Sequence, residues 1–147
     1  MSDGDGCGAI AGALLIGLAI GWFGHSHWAP KSDPEAVQRL SALSGVDPSS
    51  IAGRIESPED FRQAVIPDLK QAVDSARLTL WYASNTTTFS DTWTSQANYR
   101  TAFIRYERLR QWNPAQNAQQ SEEVRRRAED MVQNDINDIW NKRHINN

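Results

Sequence analysis

The sequence predicts an all-α protein: an N-terminal glycine- and alanine-rich apolar helix of transmembrane type, followed by an irregular helical bundle. Three observations carry this. Residues 7–24 hold no charged side chain. Beyond Pro30 the apolar residues recur at spacings of three and four, the period of a helix with one buried face. These stretches are bracketed by helix start and stop residues, and no heptad lasts the three or four repeats of a long coiled coil. A chain of 147 residues has room for one modest domain. The expected organisation is a polar N-terminus at 1–6, an apolar helix at 7–28 that is transmembrane or bundle-buried, a linker with short helices at 29–56 and a helical domain at 57–147.

The first element is "CGAIAGALLIGLAIGWFGHSHW", residues 7–28. A secretory signal needs a basic start, but "MSDGDG" supplies two aspartates, and "SHWAPK" lacks the small residues of a cleavage site. The segment is therefore expected to stay in the mature protein. As a helix its uncharged part is roughly 27 Å long, close to the thickness of a hydrocarbon core. Trp22, Phe23 and Trp28 fall where an interfacial aromatic belt would sit, and Pro30 and Lys31 follow as a stop. Asp3 and Asp5 before the segment and Lys31 and Arg39 after it favour the C-terminal domain on the positive-inside face. His25 and His27 have no third ligand nearby and read as a wet, membrane-proximal loop.

Small residues are more informative than hydrophobicity alone. Ala9, Ala13, Gly17 and Gly21 recur every four residues, a glycine-zipper row along one side of a helix; Gly8, Gly12 and Ala19 form a second strip. In lipid, where no hydrophobic drive brings helices together, small residues let backbones approach closely enough to pack. A helix with two such strips can touch two neighbours, so a homo-oligomeric ring or bundle is expected.

The remaining elements follow in order. "SDPEAVQRLSALSG" has Ser32 or Asp33 as cap, Pro34 in the first turn, Ala36, Val37, Leu40 and Leu43 on one face and Gly45 as terminator. "VDPSSIAGRI" repeats that start in miniature. "SPEDFRQAVIPDLKQAVDSARLTLWYAS" opens on Ser57, Pro58 and Glu59 and places Phe61, Ala64, Val65, Leu69, Ala72, Val73, Ala76 and Leu80 at helical spacing, and Pro67 is expected to kink or split its helix. "NTTTFSDTW" reads as a loop capping a further helix, whose broad face is expected to carry Phe89, Trp93, Ala97, Phe103, Ile104 and Trp112 before Asn113 and Pro114 close it. The last helix, from about Gln119 to Lys142, is expected to bury Val124, Ala128, Met131, Val132, Ile136, Ile139 and Trp140.

Fifteen Lys and Arg against 18 Asp and Glu give a formal charge of -3, which makes no case for nucleic acid as a partner. The basic run Arg125, Arg126 and Arg127 points in three directions on a helix, so ion pairs with Glu122, Glu123, Glu129 and Asp130 are the expected use. Cys7, the single cysteine, precludes an internal disulfide. It reads as a lipid attachment point or as a small apolar residue, although no lipoprotein cleavage box precedes it. Carboxylate pairs sit at helix starts or on polar faces, and no phosphate loop, serine elbow or metal motif is present, so no enzyme, no cofactor and no metal site is expected. Six tryptophans exceed what a small helical core needs. Trp81, Trp93, Trp112 and Trp140 are candidate partner contacts, with core filling as the competing use.

In layout, "CGAIAGALLIGLAIG" followed by the polar helical "NPAQNAQQSEEVRRRAEDMVQNDIND" resembles the small internal or ejection proteins of tailed bacteriophages. The resemblance implies many copies assembling into a conduit through a host envelope, and it transfers no functional residue. The expected function is a non-enzymatic, membrane-associated structural protein that oligomerises through its N-terminal helix, as a virion or ejection-apparatus component. Its partners would be lipid, copies of itself and other proteins of a large assembly. Its location would be single-pass in a membrane, or inside a virion before insertion. The alternatives are a single-span accessory subunit of a cellular membrane complex and, third, a membrane-anchored lytic enzyme. Mass measurement of the mature protein should find the apolar segment retained; a new N-terminus near Ala29 or Pro30 would contradict this.

Overall fold

Capping side chains set the helix boundaries. The computed structural model describes residues 33–53, 55–86 and 89–145. Among them the structure is all-helical, with four α-helices packed together. The positions Ala9, Ala13, Gly17, Gly21, Gly8 and Gly12, the interface residues Trp22, Phe23 and Trp28, and His25 and His27 lie outside the described residues. Among the described residues no helix is long and apolar enough to cross a membrane.

Helix α1 spans Pro34–Ser44. The Asp33 carboxylate accepts the Ala36 N–H at 2.9 Å, which satisfies one of the orphan donors of the first turn, and Pro34 stands where a missing N–H costs nothing. Gly45 ends it at φ 73°, its N–H donating to the Ser41 carbonyl at 2.8 Å. A side chain there would meet both the left-handed penalty and the Arg105 guanidinium, 3.0 Å from where a Cβ would stand. A 3₁₀ turn follows at Pro48–Ser50, capped by Asp47, which accepts from the Ser49 N–H at 2.9 Å. That hydrogen bond holds the Asp47 carboxyl below its ordinary range.

Helix α2, Pro58–Thr86, begins with a reciprocal box. The Ser57 N–H donates to Asp60 at 3.0 Å and the Asp60 N–H to the Ser57 hydroxyl at 3.1 Å. Pro67 does not split the helix, which runs unbroken through it. Both Pro67 and Gln63, whose carbonyl loses its i+4 partner, are exposed, so water can satisfy the freed oxygen.

Helix α3 is Phe89–Arg110 and α4 is Ala118–Ile145. The "NTTTFSDTW" stretch is therefore less of a loop than expected. α2 reaches Thr86, where the Ser84 and Thr86 hydroxyls and the Asn85 amide add side-chain donors to the Trp81 and Tyr82 carbonyls, and α3 has begun by Phe89. The α4 start is a second box: the Gln120 N–H donates to Asn117 Oδ1 at 2.9 Å and the Asn117 N–H to Gln120 Oε1 at 3.0 Å.

Consecutive long helices run antiparallel. Arg62, near the start of α2, donates to the Leu109 and Arg110 carbonyls that end α3, at 3.1 and 2.8 Å, while Thr92 near the start of α3 reaches the Ala83 carbonyl near the end of α2. Two apolar clusters fill the bundle. In one, Val37 and Leu40 of α1 meet Phe61, Val65 and Leu69 of α2 and Leu109 of α3. In the other, Val73 and Leu80 meet Tyr99 of α3 and Val132, Ile136 and Ile139 of α4. Tyr106 packs against both. Of the span 29–56, residues 34–44 form α1 and contribute Ala36, Val37 and Leu40 to the core.

The expected α3 face needs correction. Trp93 and Ala97 are exposed, whereas Thr92, Tyr99, Glu107 and Leu109 are buried. Aromatic residues lie on both sides of this helix, and the buried positions 92, 99 and 109, with half-buried 106 between them, are fixed by what α2 and α4 present. On α4, Met131 is 49 % exposed because it stands about 100° around the helix from Val132, the fully buried centre of the stripe.

Proline inside a helix costs roughly 3 kcal/mol, partly offset because proline also restricts the unfolded chain. Pro67→Ala is therefore expected to stabilise the body by about 1 to 2 kcal/mol, read as a thermal midpoint several degrees higher by circular dichroism. An unchanged midpoint would show that the packing of α2 requires the proline's local bend.

Candidate functional site

The large exposed apolar side chains gather mainly where α2 hands over to α3. Leu78, Trp81 and Tyr82 of α2 are 56, 44 and 55 % exposed, and Trp93 of α3 is 64 % exposed. Trp81 and Tyr82 meet edge to face, ring centres 5.1 Å apart. Helical geometry explains the placement. Val73 and Leu80 face the core, so positions 78, 81 and 82 fall on the flanks and back of the same helix. From Ser57 to Trp81 the helix rises about 36 Å, so this tip is the end of the body opposite the one at which Asp33 enters.

Neutral side chains add hydrogen bonds to the backbone of this tip. The Ser84 hydroxyl donates to the Trp81 carbonyl at 2.8 Å, Asn85 Nδ2 to the same oxygen at 2.7 Å and the Thr86 hydroxyl to the Tyr82 carbonyl at 2.7 Å. Lysine and arginine commonly serve such helix ends. Here the last turn of α2 has no basic residue. The sequence carries the matching signal: between Arg77 and Arg100 the only charged residue is Asp91. That gap, rather than the tryptophan count, would have singled out Leu78 and Tyr82 together with Trp81 and Trp93.

The other two tryptophans are placed differently. Trp112 is half-buried against the α1–α2 cluster, just past the end of α3, and Trp140 is half-buried against the α3–α4 cluster. The four candidate contacts thus divide into two at the tip and two packed on the core. The arginine run is arranged locally: Arg125 pairs with Glu122 and Glu129, Arg126 with Glu123 at 3.5 Å and Arg127 with Glu123 at 3.4 Å. Among the described residues, no group of three His, Cys, Asp or Glu side chains is placed to hold a metal ion.

One polar constellation is a clamp across three helices. Arg77 Nε and Nη2 donate to the two Asp135 oxygens at 2.7 and 2.8 Å, and the Tyr99 hydroxyl donates to Asp135 Oδ2 at 2.8 Å. It lines a groove of about 360 Å³ that Lys70, Phe103 and Met131 also border. The Arg77 guanidinium, with help from Tyr99, holds the Asp135 carboxyl below the ordinary carboxylate range. Burial, reinforced by Asp135, pushes the Tyr99 phenol above its ordinary value, and the Asp135 bond does the same for Arg77. At neutral pH every member therefore sits in its usual charge state, which suits a structural clamp and not a proton shuttle.

No family model, curated protein or solved structure matches this chain.

Tyr99→Phe should cost about 1 kcal/mol, since Asp135 keeps Arg77 and only one buried hydrogen bond is lost. The folded-state pKa of Asp135 is depressed, so its contribution is fully present above the unfolded carboxyl pKa, about 3.9, and disappears as pH falls through the lower folded value. Asp135→Asn should accordingly be less stable than wild type at neutral pH, with the gap in urea midpoints closing below about pH 4. A gap constant down to acid pH would refute the clamp.

Proposed function

We propose that the protein is a non-enzymatic, membrane-associated structural protein that assembles through its N-terminal small-residue helix, with the helical body carried on that anchor. The observation that carries this reading is the uncharged run at 7–24 with Ala9, Ala13, Gly17 and Gly21 on one side. An uncharged helix of that length is stable in lipid, and a continuous row of small residues is what brings such helices together there. Gly8 and Gly12 give the second contact strip that a closed assembly needs, and Trp22, Phe23 and Trp28 take the interface. Lipid, further copies of the chain and other proteins of a large assembly are the partners, in a single-pass membrane location or inside a virion before insertion. A component of an envelope-spanning conduit of the ejection type is the form of assembly that the layout favours.

Cross-linking in bilayers tests the packing row. Gly17→Ile and Gly21→Ile keep the segment apolar while separating neighbouring backbones, so membrane partition should persist as oligomer yield collapses. Leu15→Ile, off the row, should leave the yield near wild type. Undiminished oligomer in both glycine variants would return the segment to a plain anchor and favour the accessory-subunit reading.

A further inference from the structure

We propose that the seam between α1 and the last turns of α3 is an anion site that takes a phosphate group, held by Arg39, Arg105 and Arg108 beside Trp112. The proposal goes beyond the anchor reading, because no residue of 7–28 takes part in it.

The arginines without a partner are gathered at this seam. Arg62, Arg77, Arg110, Arg125, Arg126 and Arg127 each pair with a carboxylate, and Arg100 donates to Gln133. Among the described residues, Arg39, Arg105 and Arg108 have neither a hydrogen bond nor a contact ion pair. A shortage of carboxylates is not the reason, since the chain has 18 acidic residues against 15 basic ones. Positions 105, 108 and 112 fall within about 60° of one another around α3, over two turns. The Arg105 guanidinium lies against Gly45, the terminator of α1, and Arg39 of α1 borders a cleft of about 390 Å³ together with Trp112. Like charges collected without counter-charge repel one another, and a bound anion removes that cost.

One of the three also carries an orphan donor. Arg108 Nε is buried with no acceptor, which costs more for a charged group than for a neutral one. Glu122 is an acid that senses Arg108, but its oxygens are engaged with Arg125.

The cleft beside Trp112 is lined by donors and has no carboxylate in its wall. Asn113 and Asn117 turn Oδ1 to the backbone N–H groups of Ala115 and Gln120, at 2.9 Å each, so Nδ2 is the end left to serve a ligand. Such a surface selects a ligand made of acceptors. A phosphate fits better than a carboxylate, because its three or more oxygens and higher charge can engage several guanidinium groups at once, whereas one guanidinium fork already fills a carboxylate.

The test follows the arginine Nε–H signals of the ¹⁵N-labelled full chain by NMR in micelles of a neutral detergent. Inorganic pyrophosphate should move the Arg39, Arg105 and Arg108 signals saturably and leave that of Arg126 in place. Arg39→Gln and Arg105→Gln, both at exposed positions, should each loosen pyrophosphate binding about tenfold, and Arg126→Gln should leave it unchanged. Phosphatidylglycerol mixed into the micelles forms the second arm. The same three shifts with this lipid but not with pyrophosphate would identify a lipid headgroup as the source of the phosphate, and the reverse would identify a soluble phosphate. Silence in both arms overturns the proposal, as do shifts spread evenly over Arg126 and the other paired arginines. An equal response to succinate assigns the seam to carboxylates and overturns it too. Oligomer yield in bilayers, which reads the anchor, is independent of every one of these outcomes.

Discussion

The body depends on one row of side chains: Phe61, Val65, Leu69, Val73, Ala76 and Leu80, along a single side of α2. Spaced by three and four, they stay in register along the helix, and each of the other helices is buried by lying against part of this row or against its neighbours. α1 takes the Phe61 end, α4 the Val73 to Leu80 end, and α3 crosses both, with Tyr106 at the junction. Two local clusters thereby behave as one core. Burial of aliphatic side chains at roughly 1.5 to 3 kcal/mol each is the largest favourable term available to a domain of this size. Every polar device described above acts as a positioning element on that base.

The row was legible because its period is uninterrupted, and Pro67 falls on the opposite, exposed side; Ala64 and Ala72, expected on the same face, are exposed because they lie at its edge. Capping was legible for the same local reason. Asp33 with Pro34, Asp47 with Pro48 and Ser57 with Pro58 are signals confined to a few residues, and each begins a helix or 3₁₀ turn. The face of α3 was not, because this helix has apolar or aromatic side chains on more than one side and buries Thr92 and Glu107 as well as Tyr99 and Leu109. Glu107 belongs inside only because Arg110 and Gln111 hold its carboxylate, at 2.8 and 2.6 Å to one oxygen. Those partners lie three and four residues on, so the pairing itself is local, but which side of α3 turns inward is set by α2 and α4, which hydrophobicity along the chain does not encode. The division of the tryptophans is a tertiary outcome too. Trp112 and Trp140 are covered by neighbours that meet only on folding, and Trp81 and Trp93 remain outside.

Polar contacts are distributed unevenly along the bundle, and the distribution bears on what each end can do. At the Phe61 end, Arg62 closes the final carbonyls of α3, and the connection to α4 is rich in Gln and Asn, with Arg127 and Glu123 beside it. Midway, the Arg77–Asp135–Tyr99 clamp ties α2, α3 and α4 together. Beyond it, the Trp81, Tyr82 and Ala83 carbonyls accept from hydroxyl and amide groups.

That gradient gives the clamp a consequence beyond stability. Exposed aromatic side chains lower solubility unless their supporting helices are held in a fixed arrangement, since a frayed hairpin would add its buried Leu80 and Tyr99 to the exposed surface. The bidentate Arg77–Asp135 pair sits immediately before the tip on α2, and Tyr99 joins it from α3 at the point where the charge-poor stretch ends. Both helices of the hairpin are therefore fastened to α4 at the two ends of the charge-poor stretch. The fastening confines exposure to Leu78, Trp81, Tyr82 and Trp93, and it presents them as a preformed surface whose ordering cost is met during folding rather than at contact.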